Sequence, residues 1–163
     1  MLKKGAWTPI LALFLAGCTV FGMPLCGNGK LNLSHANLNP TSFTCPPNAT
    51  DLGYDIKGTL DADNETTRKI TFKSMSTQAV VDHLAGNWGI AVGDKSGADG
   101  LDFSPKSIDV GQKETLHFTT RWNCTNSGNN SQDTYADFKV QLIIDTDHGK
   151  FTVNLPEHRM KMG

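Results

Sequence analysis

Residues 138–155, FKVQLIIDTDHGKFTVNL, decide how the rest of this chain reads. Phe138, Val140, Leu142 and Ile144 recur at every second position. Asp145 to Gly149 then supplies turn residues, and Phe151, Val153 and Leu155 resume the alternation. Successive side chains on a strand point to opposite faces, so a period of two predicts two half-buried strands joined by a turn. The first is the strongest strand in the chain, because β-branched and aromatic residues suit a pleated surface. Pro156 ends the second, since proline has no N–H to give to a ladder.

The same period recurs toward the N-terminus. In Thr115 to Cys124, residues Leu116, Phe118, Thr120, Trp122 and Cys124 share one side, which turns Cys124 inward. Gly111, Gln112 and Lys113 form a tight turn between that strand and Ser107–Val110. Leu101 and Phe103 restart the core after a polar, glycine-rich loop over 93–100, and Trp88, Ile90 and Val92 share a side of a strand over 87–92. Tyr54, Ile56, Gly58 and Leu60 alternate with Asp55, Lys57, Thr59 and Asp61. Across a turn at Asp61–Asn64, Ile70 and Phe72 are predicted to pair with them as the other arm of a hairpin. A short strand carries Ala79–Val81, or Ser76–Leu84 makes one helical turn. Leu31 and Leu33 begin an edge strand, which Asn39, Pro40 and Thr41 break before Phe43 and Cys45. A polar loop spans Asn123–Thr134. Helical periodicity is nowhere sustained, so the prediction is an all-β, antiparallel sandwich of about seven to eight strands.

Ser104-Pro105-Lys106-Ser107-Ile108-Asp109-Val110-Gly111-Gln112, leading into Thr115-Leu116-His117-Phe118, resembles a strand pair of bacterial immunoglobulin-like and fibronectin-type domains. The likeness spans about fifteen residues and implies an Ig-like sandwich. It departs from antibody domains, whose Cys, Trp, Cys order is missing here because Trp122 lies two residues before Cys124.

The N-terminus reads as an address. Lys3 and Lys4 precede an uncharged stretch from Gly5 to Gly17 that includes the apolar run Ile10–Leu15, the pattern of a secretory signal. It ends in Leu15-Ala16-Gly17-Cys18, which resembles the lipobox of bacterial lipoproteins. That resemblance implies cleavage before Cys18, a lipid on its sulfur and residence in the cell envelope. Residues 1–17 are then the signal peptide, 18–29 a glycine-rich tether and 30–163 the Ig-like domain. Two rivals remain. The 22 uncharged residues from Gly5 to Cys26 approach the ~20 that span a bilayer, although Pro9, Pro24 and several glycines interrupt them. Lys4-Gly5-Ala6 also loosely resembles a pilin processing site, which implies a filament subunit that retains its apolar segment.

Removing residues 1–17 leaves 146, the size of one domain with its own core. Losing Lys3 and Lys4 shifts the formal charge from −1 to −3, with both signs interspersed and no basic stripe of the kind that binds nucleic acid. Of the four cysteines, Cys18 is assigned to lipid, leaving Cys26, Cys45 and Cys124 in an oxidising compartment. Cys45–Cys124 is the preferred disulfide because both lie in predicted strands; Cys26–Cys45 is the rival.

Chemistry is sparse. The sequence has no G-x-S-x-G elbow, P-loop, G-x-G-x-x-G or H-E-x-x-H. Asp82 with His83 and Asp147 with His148 are sequence neighbours, which a strand sends to opposite faces, so neither pair is a ready-made dyad. The tail is different: His158, Met160 and Met162 are soft and borderline donors on one side of an extended segment, suited to Cu(I). The run resembles copper-binding segments of periplasmic proteins, with Met75 or His83 as candidate further ligands, against a frayed basic C-terminus. Asn32, Asn48, Asn64, Asn123 and Asn129 each open an Asn-x-Ser/Thr triplet, which marks solvent-facing positions wherever glycosylation machinery exists. Trp88 and Trp122 read as core residues. The expectation is a non-enzymatic envelope protein that is structural or binds other proteins, with strand addition to a sheet edge as one recognition mode.

Overall fold

In the computed structural model, which describes residues 29–128 and 133–163, alternation becomes strand almost throughout. The elements are β1 (Leu31–Asn39), β2 (Ser42–Cys45), β3 (Ala49–Asn64), β4 (Ile70–Ala85), β5 (Lys95–Ala98), β6 (Asp102–Ser104), β7 (Ser107–Ile108), β8 (Lys113–Asn126), β9 (Tyr135–Thr146), β10 (Gly149–Asn154) and β11 (His158–Met162). The fold is all-β, with no helix among the described residues. One sheet runs β1-β3-β8-β6. The other runs β2-β11-β9-β4-β5, with β10 on the free part of the β9 edge and β7 on that of β4. Cys18 and Cys26 lie outside the described residues.

The two inner faces make a single core. Ile56, Leu60, Leu116 and Phe118 come from the first sheet, and Phe72, Met75, Ala79, Val140, Leu142 and Ile144 from the second. Gly58 belongs to the inward set because Phe118 stands opposite it, and a methyl on Gly58 would run into that ring. Thr77 and Thr120 hydrogen-bond across the core at 2.9 Å.

Strand pairing differs from the expectation in an instructive way. β3 and β4 are consecutive but belong to different sheets, so the predicted hairpin between Tyr54–Leu60 and Ile70–Phe72 does not form. Likewise β7 pairs with β4, whereas β8, just after it, pairs with β3 and β6. Both inner faces need an apolar partner layer, and crossing between sheets satisfies alternation as well as a hairpin does. β9 and β10 join by the tight turn that their sequence advertises, with Thr146 opposite Gly149, and the turn at Gly111 also forms but joins strands of different sheets.

Ala79–Val81 lies within the sixteen-residue β4, and Ser76–Leu84 is strand rather than a helical turn. Residues 87–92 are not a strand: Gly86 and Gly93 both take positive φ, and Trp88 Nε1 donates to the Ala85 carbonyl at 2.9 Å, curling the segment back. The supposed loop over 93–100 contains β5, an edge strand exposed along most of its length, which therefore carries no apolar alternation. β8 extends to Asn126, into the predicted polar loop.

The C-terminus is not frayed. His158, Met160 and Met162 face inward as β11, antiparallel to β9 and parallel to β2. On the outer face Arg159 clamps Asp137 through two bonds of 2.6 and 2.8 Å and lies over the Tyr135 ring. The guanidinium holds the Asp137 carboxyl below the usual carboxylate range.

Two buried asparagines close the ends of the core. Asn64 Nδ2 donates to the carbonyls of Arg68, Ile108 and Asp109, while its Oδ1 accepts from the Thr66 amide and hydroxyl. The Asn64 triplet is thus a turn clamp and not a solvent-facing position. At the opposite end Asn126 Nδ2 donates to the carbonyls of Cys45 and Gly163.

Candidate functional site

Lateral cover decides where the sandwich is open. On one flank the chain crosses from β1 to β2 through a cis Asn39–Pro40 bond, and on the other from β6 to β7 through a cis Ser104–Pro105 bond. β6 covers β8 only at His117–Thr119, leaving Thr120–Thr125 hydrogen-bonded to β3 on one side and to no described strand on the other, where β5 of the opposite sheet approaches across the cleft. Beside that stretch the sheets enclose a half-open cleft of about 800 Å³. Its floor is Trp122 and Cys124 from β8, with Thr77 and Ala79 from β4; its back wall is Phe138, Met160 and Met162; its lip is Trp88, Gly89 and Ile90. The volume falls within the range of small-molecule pockets. Ile90 on the lip is 37 % exposed, and Val92, two residues further along the chain, is 63 % exposed.

Trp88 and Trp122 are half-buried and line this cleft rather than the sealed core. Trp122 is fixed by edge-on contacts with Phe138 and His158, at centroid distances of 5.1 and 4.9 Å. His158 itself is fully buried. The Pro40 carbonyl can only accept a hydrogen bond, so Nδ1 donates to it at 3.2 Å and Nε2 accepts from the Tyr54 hydroxyl at 3.0 Å. Burial pushes the His158 pKa down and the Tyr54 pKa up, so both side chains are neutral at pH 7.

The predicted copper ligands therefore sit together on one face of β11, Met160 and Met162 on the cleft wall, with both ring nitrogens of His158 already engaged. Met75 lies in the core opposite Ile144, whereas His83 is exposed opposite Asp137, so neither joins them. Among the described residues no three of His, Cys, Asp and Glu are grouped to hold a metal. Cys45 and Cys124 are joined by a disulfide with Cα atoms 6.0 Å apart, linking β2 of one sheet to β8 of the other. Asp82 pairs with Lys139, and Asp147 accepts from the Thr71 amide, so both near-histidine aspartates have structural partners. Asn48 and Asn123 are exposed, Asn32 is half-buried, and Asn129 lies outside the described residues. Sequence reasoning missed Ile90, the lip and the open edge; the only signal for them is a tryptophan flanked by glycines in a stretch read as strand.

No protein-family model matches this chain, and no curated protein matches it. Solved structures to which this chain is weakly similar include the Pseudomonas fluorescens alkylpurine DNA glycosylase AlkC bound to DNA containing an abasic site analog. That match has 10% identity and a TM-score of 0.41, covering 81% of this chain and 30% of that one. Another is the putative ApaA protein of Bordetella pertussis (13%, TM-score 0.37, covering 82% and 94%). A third is the PapD-like domain 7 of human CEP192 (13%, TM-score 0.32, covering 89% and 93%). This chain spans about a third of the glycosylase, and likenesses of this size assign neither family nor activity.

Proposed function

We propose that this chain is an exported, lipid-anchored protein of the bacterial cell envelope whose Ig-like sandwich acts as a protein-binding module through the open cleft. The observation that carries the binding role is the cleft itself, an apolar and aromatic recess beside a strand edge that pairs with no further described strand, with exposed Ile90 on its lip. Apolar surface left facing solvent is characteristic of interaction sites. The anchoring half rests on Leu15-Ala16-Gly17-Cys18, and the Cys45–Cys124 disulfide is compatible with an exported protein. No helix of the described residues is long and apolar enough to cross a membrane.

The tether leads into β1 beside Asn64, whereas the cleft lies against Thr120–Thr125, next to the far half of β3. At about 3.3 Å per strand residue that separates the start of β1 from the cleft by roughly 25–50 Å, which suits an anchor ahead of β1 and a partner at the cleft. The several acyl chains of a mature lipoprotein would hold the domain firmly where one would not.

Mass spectrometry of the natural mature N-terminus tests this reading. An acylated Cys18 supports it, a chain beginning at Ala6 supports the filament subunit, and an intact Met1 supports a spanning anchor. A second reading, Cu(I) binding, draws support from Met160 and Met162 lying together on the cleft wall. Titration of Cu(I) against a variant with His158, Met160 and Met162 replaced decides it: unchanged affinity discards that reading.

A further inference from the structure

A binding module can dock in many ways, and the uncovered edge of β8 narrows the choice. Along Thr120–Thr125 the main chain hydrogen-bonds to β3 only, and no loop of the described residues supplies main-chain bonds to the other side. Such an edge is a row of donors and acceptors waiting for a strand. Sheet proteins ordinarily blunt edges of this kind, yet here the neighbouring space is an apolar cleft floored by Trp122.

The surroundings bear on the chemistry of an occupant. Asp94 and Asp99 stand at the two ends of β5, whose Ser96 and Gly97 line the cleft, and Asp102 opens β6 opposite Thr119, next to the uncovered stretch. Asp99 and Asp102 enter no ion pair among the described residues. Arg121 also borders the cleft, with its guanidinium over Gly53. A small apolar molecule would fill the recess but leave Ile90 and the main-chain edge uncovered. A strand satisfies both together.

We propose that the Thr120–Thr125 edge accepts an extended polypeptide segment of a partner, added in line with β6, with apolar side chains at every second position entering the cleft between Trp88 and Trp122 and with Lys or Arg at its flanks. This deepens the binding-module reading and rests on it. Main-chain bonds supply affinity, alternate side chains supply selectivity, and the carboxylates favour basic flanks.

The test uses the mature lipoprotein in lipid nanodiscs and the synthetic peptide Lys-Lys-Thr-Val-Thr-Ile-Thr-Val-Lys-Lys. Two derivatives are N-methylated on the odd or the even residues of its centre, and a third has the same composition with the apolar residues consecutive. Strand addition makes only one edge of the peptide matter. One methylated set should therefore lose affinity by at least about tenfold while the other binds like the parent, and the consecutive peptide should bind weakly. Hydrogen exchange should slow within Thr120–Thr125 when the parent binds, and Asp99→Lys with Asp102→Lys should weaken binding several-fold and reduce its salt dependence. Equal binding by both methylated peptides overturns strand addition and leaves the binding module standing on side-chain adhesion. No binding by any peptide at millimolar concentration overturns strand addition outright. Occupation of the cleft by a fatty acid in that same experiment overturns the binding-module reading as well.

Discussion

The two halves of β8 carry the same kind of sequence and are held in different ways. From Lys113 to Thr119 the strand is paired with β3 on one side and meets β6 at His117–Thr119 on the other, and Phe118 packs opposite Gly58. From Thr120 onward the second neighbour is gone, and ties run through the core to the opposite sheet instead. Thr120 bonds Thr77, Trp122 packs on Phe138 and His158, Cys124 is bridged to Cys45, and Asn126 holds the carbonyls of Cys45 and Gly163. Anchoring from beneath leaves the lateral edge free for a partner without releasing the strand. Loosening those ties should thus unfasten the upper half alone, while crowding His117–Thr119 should strain a stretch already paired on both sides.

The largest effect expected is on the disulfide. Replacing Cys45 and Cys124 by alanine removes a link across 79 residues, which loop-closure entropy values at roughly 4–5 kcal/mol. Chemical denaturation should show a loss of that order, and hydrogen exchange should quicken above Thr120 more than below it. Equal quickening along the whole strand would erase the contrast between the halves.

Next in size is His158. Leucine there leaves the Tyr54 hydroxyl and the Pro40 carbonyl without their partner, at a cost of roughly 2–4 kcal/mol, and adding Tyr54→Phe should recover part of it. The histidine also sets a pH dependence. Its pKa is lower in the folded protein than in the unfolded chain, so the unfolded state binds the extra proton. Stability is therefore fullest above pH ~6.5 and falls as the pH drops from there toward the lower folded pKa. Denaturant midpoints measured from pH 7.5 to 5 should show that slope, and the leucine variant should flatten it.

The lower half is tested by Gly58→Ala, which drives a methyl into the Phe118 ring and should cost roughly 1–3 kcal/mol with little change near Trp122. The smallest stability effect belongs to the lip. Trp88→Ala removes a half-buried side chain from a loop and should change stability by no more than about 1 kcal/mol, while the tryptophan fluorescence change on peptide binding falls sharply.

The fold class was legible because a period of two is enforced by burial on one face, and β3, β4, β8, β9 and β10 all carry it. What was not legible is partner choice. Tyr54–Leu60 and Ile70–Phe72 alternate as hairpin arms would, yet the need to cover two inner faces sends them to separate sheets. Lys95–Ala98 is strand through main-chain bonds alone, which leave no mark on its side chains. In the tail, alternation of His158, Met160 and Met162 was visible, but the same pattern describes soft ligands on an extended segment and a strand turned inward. The cleft was the least legible feature, since it exists where no described strand pairs with Thr120–Thr125, and a missing pairing has no residues of its own.

The most direct measurement is residue-resolved hydrogen exchange along β8 in the free protein. The account predicts two classes of amide between Thr120 and Thr125, protected toward β3 and fast-exchanging toward the uncovered edge, with protection on both sides at His117–Thr119. Uniform protection from Lys113 to Thr125 would contradict it, because the edge proposed to receive a partner would then already be occupied.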